Sequence, residues 1–237
     1  MDTTTPRYPL RLTGELSPRL SRGLWLVKWL LAIPHFIVLF FLWIAFFVLS
    51  AVALVAILFT GRYPRGLFDY VLGVMRWTWR VGFYSYAALG TDRYPPFTLG
   101  PEPDYPARLD VDYPERLSRG LVLVKWWLLV IPQAIIVGIF VGGWGWGWGW
   151  DDETGRWASP DLVGLLVLFA AVALLFTGRY PPGIFNFVLG MDRWTARVAA
   201  YVLLMRDEYP PFRLDMGPAE PEAAPAVREI ESPVPTE

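Results

Sequence analysis

Arginine is the residue type whose positions in this sequence suggest a chemistry. Four arginines fall on one face of two apolar segments, and two more follow Thr-Gly at the ends of long apolar runs: Arg76, Arg80, Arg193, Arg197, Arg62 and Arg179. A guanidinium group can bind a phosphate through two parallel hydrogen bonds, and the cytoplasmic leaflet of a membrane is anionic. These six residues are therefore candidate sites for lipid headgroups or another anion. The alternative is a polar face that only sets the depth of a helix at a membrane surface.

The other polar side chains of the apolar segments predict structural roles. His35 is the only histidine, its counterpart later in the chain is Gln133, and there is no cysteine. This ligand count predicts no metal site, and no other pattern predicts a cofactor. We expect His35 to pack between helices. Asp69 lies four residues after Arg65, the spacing of an ion pair on one helix face, with a proton relay as the alternative.

A polar segment rich in tryptophan and glycine interrupts the second half of the chain. It contains the acids Asp151, Asp152, Glu153 and Asp161, whose oxygens could hold a divalent cation but are more often simply solvated. Tryptophan alternates with glycine from Trp144 to Trp150, which is typical of an anchor at the membrane interface. An aromatic platform for a sugar or a partner is the alternative.

The elements that carry these residues are apolar enough to require a membrane. Leu24 to Phe59 contains one charged residue, Lys28, and about 20 apolar residues suffice to cross the hydrocarbon layer as a helix. Over the whole chain 54% of residues are hydrophobic and 18% are charged. The polar N-terminus shows no cleavable signal peptide, so we expect the first apolar helix to act as the insertion signal.

The chain repeats itself. RLSRGLWLVKW, which begins at Arg19, matches RLSRGLVLVKW, which begins at Arg116, at an offset of 97 residues. LFTGRYPRG, from Leu58, matches LFTGRYPPG, from Leu175, at an offset of 117. We interpret this as a tandem duplication with first and second membrane repeats at 8–100 and 105–215, followed by a disordered cytoplasmic tail at 216–237.

The change of offset locates an insertion in the second copy, in the tryptophan- and glycine-rich segment. Such a segment cannot lie in hydrocarbon, so we expect the equivalent point of the first copy, near residues 42–46, to reach a membrane surface as well. Each copy would then form a helical hairpin. The predicted helices are 22–42, 44–60, 119–141 and 161–177, with Pro34 and Pro132 bending the first helix of each copy.

A third apolar element carries the arginine stripe in each copy, at 67–89 and 184–205. An apolar helix with a basic stripe is typical of a segment lying in the membrane interface, although spanning with the arginines turned inward is the alternative. Short alternating runs after proline, at Pro9, Pro96, Ala107 and Pro211, predict edge strands that pair the start of each copy with its end.

The arginines also predict an orientation. Most of those flanking the apolar runs lie on the side opposite to the tryptophan-rich segment: Arg7, Arg11, Arg19, Arg22, Arg62, Arg65, Arg108, Arg116, Arg119 and Arg179. The positive-inside rule then places both termini in the cytoplasm of a multi-pass protein of the bacterial plasma membrane. Lys28 and Lys125 are expected to reach back to that surface.

Together these motifs resemble a bacterial membrane-protein family known as domain of unknown function 4389. The resemblance rests on Arg-Leu-Ser-Arg-Gly, Leu-Phe-Thr-Gly-Arg-Tyr-Pro and Tyr-Pro-Pro-Phe, each present twice. It supports a membrane location and implies no activity.

The sequence therefore predicts an all-α integral membrane protein with four transmembrane helices as two hairpins, two amphipathic interfacial helices and short surface strands. We expect a non-enzymatic scaffold or accessory subunit whose partners are membrane lipids, with a membrane-protein partner or a homo-oligomer also possible, and no nucleic acid. A small transporter or channel for an anionic solute or lipid, with a path lined by the stripe, is the alternative. A lipid-modifying enzyme with a polar cavity near Asp69 comes third.

Overall fold

The computed structural model describes residues 8–142 and 161–219. It is mostly helical, with 59% helix in six α-helices. The helices are α1 (Trp25–Thr60), α2 (Arg65–Tyr84), α3 (Arg119–Val124), α4 (Ile131–Val141), α5 (Leu162–Thr177) and α6 (Pro182–Val202), and a π-helical segment (Lys125–Leu129) joins α3 to α4. Two strands, β1 (Leu10–Gly14) and β2 (Ala107–Val111), complete the described elements.

The first apolar run forms one continuous helix, so the predicted break near residues 42–46 is wrong. Helix α1 contains no glycine, and Leu42–Phe46 offers neither a left-handed residue nor a polar side chain to stop it. In the second copy Gly142 adopts φ +79° and ends α4, and no glycine of α1 corresponds to it. An insertion can therefore divide a helix in one copy without forcing its twin to turn.

One described helix, α1, is long and apolar enough to cross a membrane. The segment from α3 to α4 is long and apolar enough to cross only if its two parts, which are bent by 48° relative to each other, are taken as one broken span. Helix α5 is apolar but shorter. The bend lies next to Pro132, where the sequence predicts one, whereas α1 continues through Pro34. The four predicted crossings are not confirmed.

Helix α2 runs antiparallel beside α1 and is largely buried. Trp77 Nε1 donates to His35 Nδ1 at 3.1 Å, and the Tyr70 hydroxyl donates to the carbonyl of Leu42 at 3.0 Å. Helix α6 is held against α4 by the equivalent hydrogen bond, in which Trp194 Nε1 donates to Gln133 Oε1 at 2.6 Å. The stripe sides of α2 and α6 face the strands and the Pro96 and Pro211 segments rather than an open surface.

The two strands form a short antiparallel ribbon. Its register pairs Leu10 with Val111 and Gly14 with Ala107, and the central pair joins Leu12 to Leu109, which are equivalent in the sequence repeat. The start of one copy therefore pairs with the start of the other, and the prediction that each start pairs with its own end is wrong. The segments after Pro96 and Pro211 are not strands, because their carbonyl groups turn towards arginines.

Each strand packs against the helix that carries the arginine stripe of the other copy, β1 against α6 and β2 against α2. Arg193 of α6 donates from Nε to the carbonyl of Leu12 at 3.0 Å, and Arg76 of α2 donates from Nε to the carbonyl of Leu109 at 3.0 Å. The two copies thus exchange their first strands. The predicted boundaries at 8–100 and 105–215 stay predictions.

The outer surface of the helical layer is apolar. One stripe of α1, including Ala32, Leu39 and Ala53, is buried, whereas its remaining faces expose leucine, isoleucine, valine and phenylalanine. Phe41 is 64% exposed and Phe59 is 77% exposed, and Phe176 at the end of α5 reaches 78%. The tryptophan- and glycine-rich segment, with Trp144–Trp150 and most of its acids, lies outside the described residues, as does the tail beyond residue 219.

Candidate functional site: arginine pairs at the ends of the apolar helices

The four stripe arginines have partners inside the protein. Arg76 donates to the Asp110 carboxylate as well as to Leu109, and is the most exposed of the four. Arg80 is buried and donates to the carbonyls of Thr98 and Gly100. Burial lowers its pKa, although a guanidinium group remains charged in proteins.

The second copy repeats this arrangement with deeper burial. Arg193 and Arg197 are both 0% exposed. Arg193 donates to the carbonyls of Leu12, Asp215 and Gly217, and Arg197 forms an ion pair with Asp215 at 2.5 Å. These contacts tie the helix to the chain that follows it. Binding of headgroups by the stripe stays a prediction, but the observed role of these guanidinium groups is internal.

The remaining two predicted arginines are exposed, and each follows a glycine that is covered by an arginine of the other copy. Arg62 follows Gly61, which caps α1 at φ +70°, and Arg179 follows Gly178, which caps α5 at φ +71°. The guanidinium group of Arg119 lies over Gly61, 3.4 Å from where a Cβ atom would stand. The guanidinium group of Arg22 lies over Gly178, 2.8 Å from where a Cβ atom of residue 178 would stand. We call Arg62 with Arg119, and Arg179 with Arg22, the two arginine pairs.

The arginine pairs have no carboxylate partner among the described residues. Within the described ranges, no carboxylate oxygen lies within 4.0 Å of any of these four guanidinium groups. Each pair adjoins the exposed apolar end of a helix, with Phe59 two residues before Gly61 and Phe176 two residues before Gly178. Adjacent positive and apolar surfaces match the headgroup and acyl chains of an anionic lipid.

The two lysines form internal ion pairs that the sequence analysis missed. Lys28 Nζ lies 3.0 Å from Asp92, and Lys125 Nζ lies 2.8 Å from Asp207, with both lysine side chains buried. They do not reach back to an exposed surface as predicted. The sequence contains a pattern that could have predicted these ion pairs. The chain has only two lysines, one in each copy, and each copy has an aspartate two residues before its Tyr-Pro-Pro-Phe motif.

Asp92 is held in its charged form. Burial alone would raise the pKa of its carboxyl group, but the backbone N–H of Ser21, at 2.6 Å, and the Lys28 ammonium outweigh that effect. The pKa of Asp92 is therefore lowered. The contact fixes the loop after α2 to the start of α1.

His35 and Asp69 have the structural partners that the sequence predicts. His35 is fully buried, accepts from Trp77 and stacks on Phe97 with ring centroids 3.9 Å apart. Asp69 pairs with Arg65 at 3.9 Å on an exposed surface. A polar cavity of about 330 Å³ lies elsewhere, between Tyr113–Leu117 and Arg206–Glu208, and Asp69 is not one of its lining residues. Among the described residues, no group of three or more metal-binding side chains converges.

Comparison with known families identifies the class of this protein. The family model described as a domain of unknown function, DUF4389, matches residues 22–98 and 161–213, together more than half of the chain. The chain therefore belongs to the DUF4389 family, as its motifs suggest. No curated protein and no solved structure matches it.

Proposed function

We propose that this chain is a non-enzymatic accessory protein of the bacterial plasma membrane, which embeds its apolar helices in lipid and binds anionic headgroups at the two arginine pairs. The observation that carries the proposal is that each pair combines exposed arginines, which have no carboxylate partner in the part of the chain that the structure describes, with the exposed apolar end of α1 or α5. The cytoplasmic leaflet supplies the anionic lipids that would complete both sites.

The outward-facing apolar residues favour a lipid environment for α1. Only 17% of its most apolar 18-residue window is buried, whereas the core helix of a water-soluble protein is mostly buried. An exposed apolar surface of this extent is unusual in a soluble monomer and is typical of proteins that contact a membrane or a partner.

Lipid binding can be tested by native mass spectrometry of the detergent-purified protein with phosphatidylglycerol or phosphatidylcholine. We expect two phosphatidylglycerol molecules to bind preferentially. The double variant Arg62→Gln/Arg119→Gln should lose one of them, and Arg22→Gln/Arg179→Gln the other. At about 1 kcal/mol for each arginine near an anionic lipid surface, each double variant should weaken its site by about 2 kcal/mol, or about 30-fold.

Arg108→Gln is the matched control. Arg108 is also exposed, but it lies on the ribbon and pairs with Glu15 at 3.7 Å. Its substitution should leave both sites intact. Equal affinity for the two lipids, or no loss in the double variants, would contradict the proposal. Displacement of phosphatidylglycerol by inorganic phosphate alone would indicate a soluble anion as the ligand instead.

A further inference from the structure

We infer that the apolar helices lie in the plane of a single membrane leaflet, so that the protein enters the bilayer from one side without crossing it. The inference rests on the proposal that the apolar surface contacts lipid. It concerns the direction of α1 relative to the membrane, which length and composition do not determine.

Both ends of α1 are tied to the polar side of the molecule. At its start, Lys28 Nζ donates to the carbonyl of Thr91 at 2.7 Å, and the Thr91 hydroxyl is 2.9 Å from that of Ser17. At its end, the carbonyl of Gly61 accepts from the backbone N–H of Leu117 at 2.9 Å. Ser17 follows β1 by three residues, and Leu117 follows β2 by six.

The ribbon runs along α2, and therefore along α1, because α2 lies antiparallel to α1. Tyr113, two residues after β2, donates its hydroxyl to the carbonyl of Tyr63, just before the start of α2. Near the other end of α2, Trp79 Nε1 donates to the carbonyl of Thr13 at 3.2 Å, and Thr13 lies at the opposite end of the ribbon.

Contacts at the middle of the molecule agree with this direction. Trp77 and Tyr70 of α2 hold α1 at His35 and Leu42. Arg76, which lies between Tyr70 and Trp77 in the sequence of α2, donates to the carbonyl of Leu109 in the ribbon. The ribbon is thus level with the middle of the N-terminal half of α1 and is separated from it by one helix, α2.

The ribbon carries charges that require water. Arg11 and Asp112 pair at 2.9 Å with side chains 41% and 52% exposed, and Asp110 is 44% exposed. If α1 crossed the bilayer, these charges and the open strand edges would lie at the depth of the hydrocarbon. Lipid-exposed strand edges do not occur there, and charged side chains at that depth are costly.

An in-plane arrangement removes this conflict. A helix about 10 Å in diameter fits within one leaflet of a hydrocarbon layer about 30 Å thick. The ribbon would then face water above α2 and α6, while α1 and the α3–α5 elements lie in lipid below them. The arginine pair at the start of α1 and the pair at its end would reach the same leaflet, where anionic headgroups are available to both.

Cysteine labelling can test this arrangement, because the chain has no cysteine of its own. Gly23→Cys and Thr60→Cys mark the two ends of α1, Asp112→Cys marks the ribbon, and Phe41→Cys marks the apolar surface. A Cβ atom at Gly23 would meet no atom within 4 Å, and Thr60 is exposed. A membrane-impermeant maleimide is applied to spheroplasts and, separately, to inverted membrane vesicles of the expressing cells.

We expect positions 23, 60 and 112 to be labelled in the same preparation and protected in the other. Position 41 should be protected in both preparations until detergent is added. Labelling of positions 23 and 60 from opposite sides would overturn the inference, as would protection of position 112 in both preparations, but either result would leave the lipid-binding proposal standing. Labelling of position 41 in intact membranes would instead contradict the contact with lipid on which both proposals depend.

Discussion

At the scale of single residues, the two copies use the same pair of charges to fix their helices. The Lys28–Asp92 and Lys125–Asp207 ion pairs join the beginning of an apolar helix to the loop that follows α2 or α6. Each aspartate also accepts a backbone N–H, from Ser21 or Ser118, at 2.6 Å. The lysine and the aspartate of each pair therefore depend on each other for neutralisation.

Removing one member of such a pair should destabilise the protein strongly. Lys28→Met leaves Asp92 without its counter-ion, and breaking a buried pair in this way costs about 3–5 kcal/mol. Arg65→Met is the control, because the Arg65–Asp69 pair is more than 60% exposed on both sides and should contribute less than about 1 kcal/mol. Thermal unfolding in detergent measures both, and equal effects of the two substitutions would contradict the buried role of Lys28.

The lowered pKa of Asp92 predicts an acid-sensitive contribution to stability. Because the folded-state pKa lies below that of the unfolded chain, the contribution is fully present above the ordinary aspartate pKa of about 4. It is lost as the pH falls through the folded-state value. Unfolding curves measured from pH 6 downwards should show a smaller decline for Asp92→Asn than for the natural chain, and parallel curves would refute this role.

His35 is less well satisfied than its counterpart in the second copy. Its Nδ1 accepts from Trp77, but the buried Nε2 has no hydrogen-bond partner among the described residues. Gln133 accepts from Trp194 and also donates to the carbonyl of Pro210 at 2.7 Å. His35→Gln should therefore raise the free energy of unfolding by about 1 kcal/mol. Gln133→His should lower it, and a change of the same sign in both variants would count against this explanation.

Some single-residue roles could be predicted from the sequence and others could not. The Arg65–Asp69 pair follows from spacing along one helix, and the structure confirms it. The partners of Arg193 could not be predicted, because one of them, Leu12, lies 181 residues away. A stripe of arginines has the same sequence pattern whether lipid, water or another strand covers it.

At the scale of elements, the ends of the apolar segments were predictable and their connection was not. The ends of the predicted helices 119–141 and 161–177 agree closely with the structure, because Ser118 caps the first and Gly178 ends the second, although a π-helical segment and a bend divide the first. The break predicted in α1 relied on a duplication argument rather than on a local signal. No residue of Leu42–Phe46 stops a helix, and the local composition decided the outcome.

The exchange of strands predicts how the copies depend on each other. β1 packs on α6 and β2 packs on α2, so each half alone lacks the strand that covers its arginines. Residues 1–104 and 105–237, expressed as two chains in one cell, should purify as a 1:1 complex. Residues 1–104 expressed alone should aggregate or dimerise.

Size-exclusion chromatography with light scattering distinguishes these states. A folded, monomeric 1–104 with the melting temperature of the complex would contradict the exchange. Arg76→Leu in the first chain should weaken the complex, since it removes the hydrogen bonds from α2 to β2. Arg19→Leu serves as the matched control, because Arg19 is exposed and its side chain has no hydrogen bond or ion pair among the described residues.

At the scale of the whole molecule, large apolar side chains cover much of the outside in addition to filling the core, and several charged side chains are buried. Arg80, Arg193 and Arg197 are among the largest fully buried side chains, whereas Phe59 and Phe176 are among the most exposed apolar ones. The charged groups fix a polar layer made by the ribbon, α2 and α6. The apolar groups cover the outside of the helices beneath it, which is the arrangement expected if lipid replaces water there.

The apolar run alone predicted a membrane protein, and α1 is long and apolar enough to cross a membrane, but the run does not predict the angle at which α1 would lie in a bilayer. Hydropathy measures how apolar α1 is and gives no information about the angle between α1 and a bilayer. That angle depends on where the charged ribbon lies relative to α1, which is a tertiary property set by residues such as Ser17, Thr91 and Leu117.

The most direct test of the account is the environment of the exposed apolar surface. Spin labels at Phe41→Cys and Phe169→Cys, both positions 64% exposed, are compared with one at Asp112→Cys in reconstituted vesicles. The account predicts strong relaxation of the first two labels by oxygen, which concentrates in lipid, and of the third by a water-soluble nickel chelate. Relaxation of the Phe41 and Phe169 labels by the nickel chelate would contradict the central claim that these helices lie in lipid.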